Sequence, residues 1–305
     1  MRRTFFAFLL IVLAACGGTP TSSIPAASGA ATPSPAASFP VTVTDFQDKS
    51  VSIAKRPDRI VSIGPSNTEF VFALGAGGRV VGVDDFSDEP AAAKEKDKVG
   101  GVKPNVEKIV SLRPDLVVSV KISDGSLETL MSQGIVVLIV NPQSAGDVAK
   151  SAVLLGRAIG ADGDALAKEI QTGIDAVRAK AAPLQKKRVY HEVDASDPNK
   201  LYTVGPGSFI DDLIGIAGGI NIAANAGSQY PQLSPEEIVR ADPQVIVFAS
   251  FGVTAEQIAA RPGWSVITAV KNKRIVKVEG SLLSRPGPRL GQAAEAYYQI
   301  LAGTP

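Results

Sequence analysis

The chain has 305 residues, and its 31 Lys and Arg residues against 30 Asp and Glu give a formal net charge of +1 at pH 7. This balance creates no basic field for nucleic acid, and no Lys/Arg cluster with interleaved aromatic residues occurs, which argues against a nucleic-acid partner. A single Cys excludes a disulfide bond within one chain.

The first residues have the pattern of a signal peptide. Arg2 and Arg3 precede an apolar run over residues 5–13, and the small residues Ala14 and Ala15 follow just before Cys16. The apolar run is shorter than the roughly 20 residues that a membrane-spanning helix needs. We therefore expect a signal peptide over residues 1–15.

Leu13 to Cys16 resemble the bacterial lipobox, in which the Cys becomes the lipid-bearing first residue. Cys16 is therefore the expected lipid attachment site, which would place the protein outside the cytoplasm, on the periplasmic side or at the cell surface. The alternative is an ordinary signal peptide with an incidental Cys. Residues 16–40 consist almost entirely of Gly, Ala, Ser, Thr and Pro after that Cys, which predicts a flexible tether.

The remaining part, about 265 residues, is long enough for two domains, and it contains an internal repeat. Three segments in the first half match three in the second half in the same order. IVSIGPSNTEF from Ile60 matches LYTVGPGSFID from Leu201, LGAGGRVVGV from Leu74 matches GIAGGINIAA from Gly215, and VEKIVSLRPDLVVSV from Val106 matches PEEIVRADPQVIVFA from Pro235. The repeat predicts two similar structural units.

Each unit has the pattern of a strand, a Gly-Pro turn, a helix and a further strand. The apolar, β-branched runs 60–63 and 116–120 are typical of buried parallel strands. Ser66 and Glu69 have the spacing of a capping box at the start of a helix that Gly75 ends. Ser234 and Glu237, with Pro235 between them, have the same spacing.

The predicted fold class is α/β, with two similar lobes that each contain a mostly parallel sheet flanked by helices. We expect the lobes over residues 41–146 and 186–305, joined by a helical linker over 147–185. Within this region, Leu166, Ile170, Ile174 and Val177 form an apolar stripe on a helix over 164–181, and a helix of that length spans ~27 Å. This pattern predicts one long bridging helix between the lobes.

Ligands of open α/β sheets bind beyond the carboxyl ends of the strands, where Gly-rich turns gather. The turns 64–67 and 205–208 have this character in the two units. We therefore expect them to face each other across one ligand cleft between the lobes.

Five segments carry a family resemblance: RIVSIGPSNTEFVFALG, VGVDDFSDEP, VGGVKPNVEKIVSLRPDLVV, YPQLSPEEIVRADPQVIV and SRPGPRL. Across essentially the whole mature chain, the sequence resembles the helical-backbone (class III) substrate-binding lipoproteins of ABC importers for cobalamin, haem and iron siderophores. The first three segments look most like the cobalamin-binding branch. The resemblance implies a monomer without a cofactor of its own that delivers a metal chelate, cobalamin or another corrinoid, to the permease dimer of an ABC transporter. The alternative ligands are an iron siderophore and haem.

The resemblance also implies which residues contact the ligand. They are Pro65, Ser66, Asn67, Phe86, Ser87 and Asp88 in the first lobe, and Tyr202, Tyr230, Ser284 and Arg285 in the second. For Tyr202 the alternative is a core position in a strand, and for Arg285 it is contact with solvent only. Glu89 stands where the cobalamin branch usually has an aromatic residue, and the only Trp, Trp264, has the context of a packing residue.

In this family, one exposed carboxylate of each lobe docks onto arginines of the membrane transporter, and the matching residues are Glu107 and Glu236. Both lie at the second position of a predicted helix, after Asn105 and Ser234 as caps. A carboxylate there also favours the positive end of the helix dipole, which is the alternative explanation.

Other classes of function have less support. A metal-ion site would need a cluster of His, Asp and Glu, and the only His is His191 in a strand-like run. A structural role is typical of such a residue, although it could also be an axial ligand of haem iron. No Walker phosphate loop, Gly-x-Ser-x-Gly elbow, His-Glu-x-x-His motif or Cys/His pair occurs, so we expect no enzyme. An adhesion or sensor role is a further alternative for a surface lipoprotein.

Overall fold

The computed structural model describes residues 38–195, 197, 199–249, 252–278 and 281–303. The predicted signal peptide and Cys16 lie outside the described residues, as does most of the predicted tether. Within the described residues, no helix combines the length and apolar character needed to cross a membrane.

The first lobe contains a parallel sheet. A small antiparallel hairpin of β1 (Val41–Thr44) and β2 (Ser50–Ile53) precedes it. The sheet has the strand order β5-β4-β3-β6-β7, and all of its strand pairs are parallel. The strands are β3 (Ile60–Ile63), β4 (Val80–Val83), β5 (Asp97–Lys98), β6 (Leu116–Ser119) and β7 (Val137–Ile139). The flanking helices are α1 (Pro65–Ala73), α2 (Val106–Ser111) and α3 (Ser126–Ser132).

Two helices connect the lobes: α4 (Ala145–Ile159) and α5 (Gly163–Ala181). Ser144 and Asp147 form a capping box at the start of α4, and Asp162 caps α5. The apolar stripe of α5 is buried at Ile170, Ile174 and Val177, whereas Leu166 is partly buried. Helix α5 packs between α4 and the C-terminal helix α10 (Leu290–Ala302), so it has the position of a bridge.

The second lobe contains a mixed sheet in which parallel pairs are the majority, so the predicted α/β class with two mostly parallel sheets is confirmed. Its strand order is β11-β9-β8-β12-β13, with β10 paired to the start of β8. Strands β9 and β11 are antiparallel to their neighbours, and the other pairs are parallel. The strands are β8 (Lys187–Asp194), β9 (Leu201–Thr203), β10 (Gly219–Asn221), β11 (Gln232–Leu233), β12 (Val245–Phe248) and β13 (Ile275–Lys277). The helices before α10 are α6 (Phe209–Ile216), α7 (Pro235–Ala241), α8 (Ala255–Ala259) and α9 (Thr268–Lys271).

The two sheets have equivalent strands, as the internal repeat predicts, but the first of the three sequence matches aligns two strands that are not equivalent. Strand β3 lies between β4 and β6, and the corresponding position between β10 and β12 belongs to β8. The sequence match instead aligned β3 with β9, which is an antiparallel neighbour of β8. Both β3 and β9 precede a Gly-Pro turn and a helix, so their local sequences are alike. Local sequence specifies the order of elements, whereas tertiary packing selects the neighbours of a strand.

The predicted capping box of Ser66 and Glu69 is wrong. Helix α1 begins after Gly64, which adopts φ 101°, and no side chain caps its first turn. Ser66 is nearly buried, and the Glu69 carboxylate pairs with arginines of the second lobe. The capping box of Ser234 and Glu237 is confirmed, and so is the end of α1 at Gly75, which adopts φ 74°.

One apolar cluster continues through both lobes. It contains Ile60 and Leu116 of the first sheet, Val189 and Val245 of the second, and the buried faces of α4, α5, α6 and α10. The opposite face of each sheet has a cluster of its own, around Ile109 in the first lobe and around Trp264 in the second. The two lobes therefore rest on a shared core, although we expected about 265 residues to suit two domains.

His191 of β8 is a core residue. Its Nδ1 lies 2.9 Å from the Tyr297 hydroxyl of α10, and the two rings stack with centroids 6.0 Å apart. Burial lowers the pKa of His191 from 6.5 to about 4, so the imidazole is neutral in the folded protein. This environment is that of a structural residue, and it does not favour the role of an axial haem ligand.

His191→Gln should reduce the loss of stability in acid. Because the folded-state pKa lies below the unfolded one, the stabilising contribution of neutral His191 is complete above pH 6.5 and is lost as the pH falls towards 4. At about 1.4 kcal/mol per pKa unit, this corresponds to roughly 3 kcal/mol. Urea unfolding between pH 7.5 and 4 measures it, and parallel stability curves for the variant and the wild type would contradict the assignment.

Gly173→Val should destabilise the crossing of α5 and α10. A Cβ at Gly173 would lie 3.1 Å from Cα of Gly291, so a larger side chain forces the helices apart. We expect a loss of about 1–3 kcal/mol in urea unfolding. Gly215→Val in α6 is the matched control, because nothing lies within 4 Å of a Cβ there. Equal losses in the two variants would show that helix propensity, and not the crossing, determines the effect.

Candidate functional site

A depression of about 510 Å³ lies at the carboxyl ends of the first sheet. Its wall follows three neighbouring strands: Ile63 to Pro65 after β3, Asp84 and Phe86 after β4, and residues 120–124 after β6. Gly101, Val102 and Lys103 complete the rim. This is the sheet edge at which open α/β folds bind ligands, and the turn after β3 lies there as we predicted.

Asp84 organises this wall, although sequence reasoning did not single it out. The buried carboxylate accepts hydrogen bonds from the Gly64 amide at 2.8 Å, the Phe86 amide at 2.9 Å and the Ser87 hydroxyl at 2.6 Å. It therefore joins the turn after β3 to the loop after β4. A signal was present in the sequence. An Asp directly after a buried strand commonly accepts hydrogen bonds from the backbone amides of the following turn.

The predicted ligand residues of the first lobe divide into buried and exposed groups. Asn67 and Ser87 are fully buried, with Asn67 donating to the Ile63 and Val140 carbonyls and Ser87 bonded to the Thr68 hydroxyl. Ser66 is also nearly buried. In this structure these three side chains support the depression rather than line it, so their contact with a ligand stays a prediction.

Phe86 and Val102 are the exposed apolar residues of this rim. Phe86 is 55% exposed and Val102 is 80% exposed. The Phe86 ring lies against Gly101, where a Cβ would approach it to 3.4 Å. Large apolar side chains left in solvent beside a cavity are typical of a binding surface.

The second lobe presents two exposed tyrosines. Tyr202 is 40% exposed on β9, between the buried residues Leu201 and Thr203, so the alternative of a core position is wrong. Tyr230 is 43% exposed, two residues before β11, which pairs with β9. Burial of part of its ring raises the pKa of the Tyr230 phenol, which keeps the hydroxyl protonated at neutral pH.

The loop that carries Tyr230 is attached to the second Gly-Pro turn. The Gly205 amide donates to the Gln229 carbonyl at 2.7 Å, and the Gln229 side chain donates to the Gly207 carbonyl at 2.7 Å. A Cβ at Gly205 would meet the Ser228 carbonyl at 2.1 Å, so only glycine permits this approach. The turn and the Tyr230 loop thus form one surface.

Arg285 contacts the first lobe rather than solvent alone, so that alternative is wrong. Its guanidinium lies 3.2 Å from Glu69 and 2.7 Å from Asp88. Although burial raises the pKa of Asp88, the hydrogen bond and charge of Arg285 outweigh it and hold that pKa below its usual range. Ser284 is exposed, and its hydroxyl lies 3.3 Å from the Ser281 carbonyl.

Glu107 and Glu236 occupy equivalent positions in the two lobes. Each is the second residue of its helix, after the caps Asn105 and Ser234, and each is exposed. The helices α2 and α7 precede the equivalent strands β6 and β12. The equivalence of the two carboxylates, predicted from the repeat, is therefore retained in the structure.

Trp264 has the packing role that we predicted. It is buried, its ring meets Tyr190 edge-on at 6.0 Å, and the Arg261 guanidinium lies 4.7 Å from its centroid. Within the described part of the chain, no three His, Cys, Asp or Glu residues are grouped closely enough to hold a metal ion.

Comparison with known proteins places this architecture in a family. The family model described as "Periplasmic binding protein" matches residues 60–281. An ABC transporter substrate-binding lipoprotein, YvrC of Bacillus subtilis, is 39% identical over 267 residues, covering 84% of this chain and 84% of its own. A cobalamin-binding protein of Halobacterium salinarum is 34% identical over 319 residues, covering 95% of this chain and 82% of its own.

A solved structure has the same fold. The periplasmic haem-binding protein RhuT from Roseiflexus, in its apo form, is 29% identical, with a TM-score of 0.71 over 80% of this chain and 99% of its own. Such proteins have two lobes and a bridging helix, as observed here. The chain therefore belongs to the periplasmic binding protein family, and it is an extracytoplasmic substrate-binding protein of an ABC importer.

Proposed function

We propose that this protein captures a metal chelate with a broad apolar face, cobalamin or another corrinoid, and delivers it to an ABC importer. The observation that carries the proposal is the set of exposed apolar and aromatic side chains: Phe86 and Val102 at the depression of the first lobe, and Tyr202 on β9 and Tyr230 before β11 in the second. Aromatic faces suit a flat macrocycle, because they bury a large area at a low cost in side-chain entropy. The relative of Halobacterium salinarum, described as cobalamin-binding, supports this ligand class.

Haem and iron siderophores are the second candidate, and the likeness to the haem-binding protein RhuT supports haem. His191 is buried against Tyr297, so a haem iron in the cleft would need another axial ligand. Tyr202 and Tyr230 supply phenol oxygens, which are known haem ligands. A tyrosine phenolate bound to ferric iron adds a charge-transfer band to the visible spectrum. A complex with cyanocobalamin contains no iron–phenolate bond and lacks this band, so visible spectra distinguish the two ligands.

The remaining properties belong to the same proposal. We propose a monomer that carries no cofactor of its own, has no enzymatic activity and is attached to the membrane by a lipid on Cys16. The contacts proposed for the ligand are Pro65, Ser66, Asn67, Phe86, Ser87, Asp88, Tyr202, Tyr230, Ser284 and Arg285. The relative YvrC is described as a lipoprotein, which supports the attachment.

Removing the proposed aromatic contacts should weaken ligand binding. We expect Tyr202→Ala and Tyr230→Ala each to raise the Kd for cyanocobalamin by roughly tenfold, since an aromatic contact contributes about 0.5–1.5 kcal/mol beyond the area that it buries. Isothermal titration measures this. Val266→Ala removes another exposed apolar residue, outside the strand-end loops, and should leave the Kd unchanged. Wild-type affinity in both tyrosine variants would refute their role.

Reversing the charge of the two equivalent carboxylates should uncouple binding from transport. We expect the double variant Glu107→Arg/Glu236→Arg to abolish uptake of labelled cyanocobalamin in cells and to bind it with unchanged affinity. The reason is that a two-lobed protein on a permease dimer needs one anionic contact for each half.

The matched control tests the helix-dipole explanation. Glu128 and Glu256 are also exposed acids in the first turns of helices, α3 and α8. Glu128→Arg/Glu256→Arg should cause the same small loss of stability as the Glu107/Glu236 variant, because it removes the same interaction with the helix dipole, and should leave uptake intact. Unimpaired uptake by the Glu107/Glu236 variant would rule out the docking role.

A further inference from the structure

A buried carboxylate of the first lobe is held by two arginines of the second lobe. Glu69 of α1 accepts hydrogen bonds from Arg289 Nε at 2.8 Å and Nη2 at 2.9 Å, and from Arg285 Nη1 at 3.2 Å. The Arg289 contact is bidentate, which fixes orientation as well as distance. We call Glu69, Arg285 and Arg289 the interlobe clamp.

The segment between the two arginines lies directly over the Glu69 carboxylate. A Cβ at Gly287 would lie 3.3 Å from Glu69 Oε2 and 3.8 Å from Cα of Ser66. The glycine at position 287 therefore allows residues 285–289 to lie close to the start of α1, next to the depression.

The clamp also reaches the loop that presents Phe86. Arg285 Nη2 donates to the Phe86 carbonyl at 3.1 Å, and Nη1 pairs with Asp88 at 2.7 Å. On the other side of the loop, Asp84 and Lys98 hold it to its own lobe, with Lys98 Nζ donating to the Ser87 carbonyl at 3.0 Å. The bonds within the lobe set the shape of the loop, whereas the clamp ties the loop to the second lobe.

The clamp is joined to the shared core through α10. Arg289 directly precedes this helix, and Gly291 in its first turn packs on Gly173 of α5. The first turn of α10 thus contacts the bridging helix and the first lobe at once.

We propose that Glu69 and Arg289 are positioning residues that fix the separation of the two lobes, and with it the place of the Phe86 loop relative to the second lobe. Neither residue needs to contact the ligand for this role. The effect on ligand affinity rests on the proposed function, but the effect on lobe separation does not.

The distance between the lobes in the unliganded protein tests the proposal. Ser111 at the end of α2 and Arg240 near the end of α7 are exposed, one on each lobe, and both can carry a spin label after substitution by Cys in the full chain with Cys16→Ser. Double electron–electron resonance then gives the distribution of distances. In the otherwise unchanged protein we expect one narrow distribution.

Arg289→Gln and Glu69→Gln should each widen or shift this distribution by more than about 2 Å, the scale of lobe rearrangements in binding proteins. Glu69→Gln removes the buried negative charge and so leaves no unpaired carboxylate in the core. It can therefore be measured if Arg289→Gln does not fold. A distribution unchanged in the folded variants would overturn the proposal, because it would show that the shared core alone sets the lobe separation.

Arg261→Gln is the matched control. Arg261 also makes a close bidentate pair with a buried carboxylate, Glu192, but both residues belong to the second lobe. This variant should lose stability without any change in the distance distribution. An equal broadening in Arg261→Gln would show a general loosening of the fold and would also overturn the proposal.

Ligand binding provides a second readout. Titration with cyanocobalamin should give a Kd raised by roughly tenfold in Arg289→Gln, in line with losing a residue that organises a site without contacting the ligand. An unchanged Kd together with a changed distance would show that lobe separation does not control this ligand. If the wild type fails to bind cyanocobalamin, the proposed ligand is wrong, and the distance measurement still decides the role of the clamp.

Discussion

The structure depends on one apolar cluster that continues beneath both sheets. Residues from the two lobes meet there on α4, α5, α6 and α10, so the lobes cannot separate fully without exposing it to water. At about 25 cal/mol per Å² of apolar surface, even a modest opening of such a core is costly. The arrangement of the two lobes is therefore largely set before a ligand arrives, which reduces the conformational cost of binding.

This constraint explains how the site is divided between rigid support and exposed contact. The buried polar residues Asp84, Asn67 and Ser87 hold the strand-end turns in place, and their hydrogen bonds are made within the protein. The exposed side chains include the aromatic rings of Phe86 and Tyr230, with charged residues such as Lys103 on the rim beside them. A site of this kind selects a ligand by the shape and breadth of its apolar face, with a few polar groups at the edges.

Much of the fold was predictable because local signals agreed with each other. Buried β-branched runs predicted β3 and β6, and the apolar stripe predicted α5 within a residue of its observed bounds. The mixed second sheet was not predictable in this way. Strand β8 mixes charged with apolar residues and β9 has only three residues, and nothing in either sequence states which one lies beside β12.

The site was predicted less completely, for a physical reason. Glu69 has the spacing of a capping residue. Its carboxylate instead forms an ion pair with Arg289, which lies 220 residues further along the chain. Contacts over such separations leave no periodic trace in the sequence. Tyr202 is exposed because it lies on the face of β9 that is not buried. A strand of three residues is too short for the alternation of apolar and polar residues to show which face that is.

Thermal unfolding in the presence of candidate ligands tests the central claim, capture of a metal chelate by the cleft, most directly. Cyanocobalamin, haem and a ferric siderophore would each be added in excess to the full-length protein. We predict that a chelate of this class, first of all cyanocobalamin, stabilises the fold by about 2.7 kcal/mol at 100 times its Kd. No stabilisation by any of the three at millimolar concentration would contradict the account.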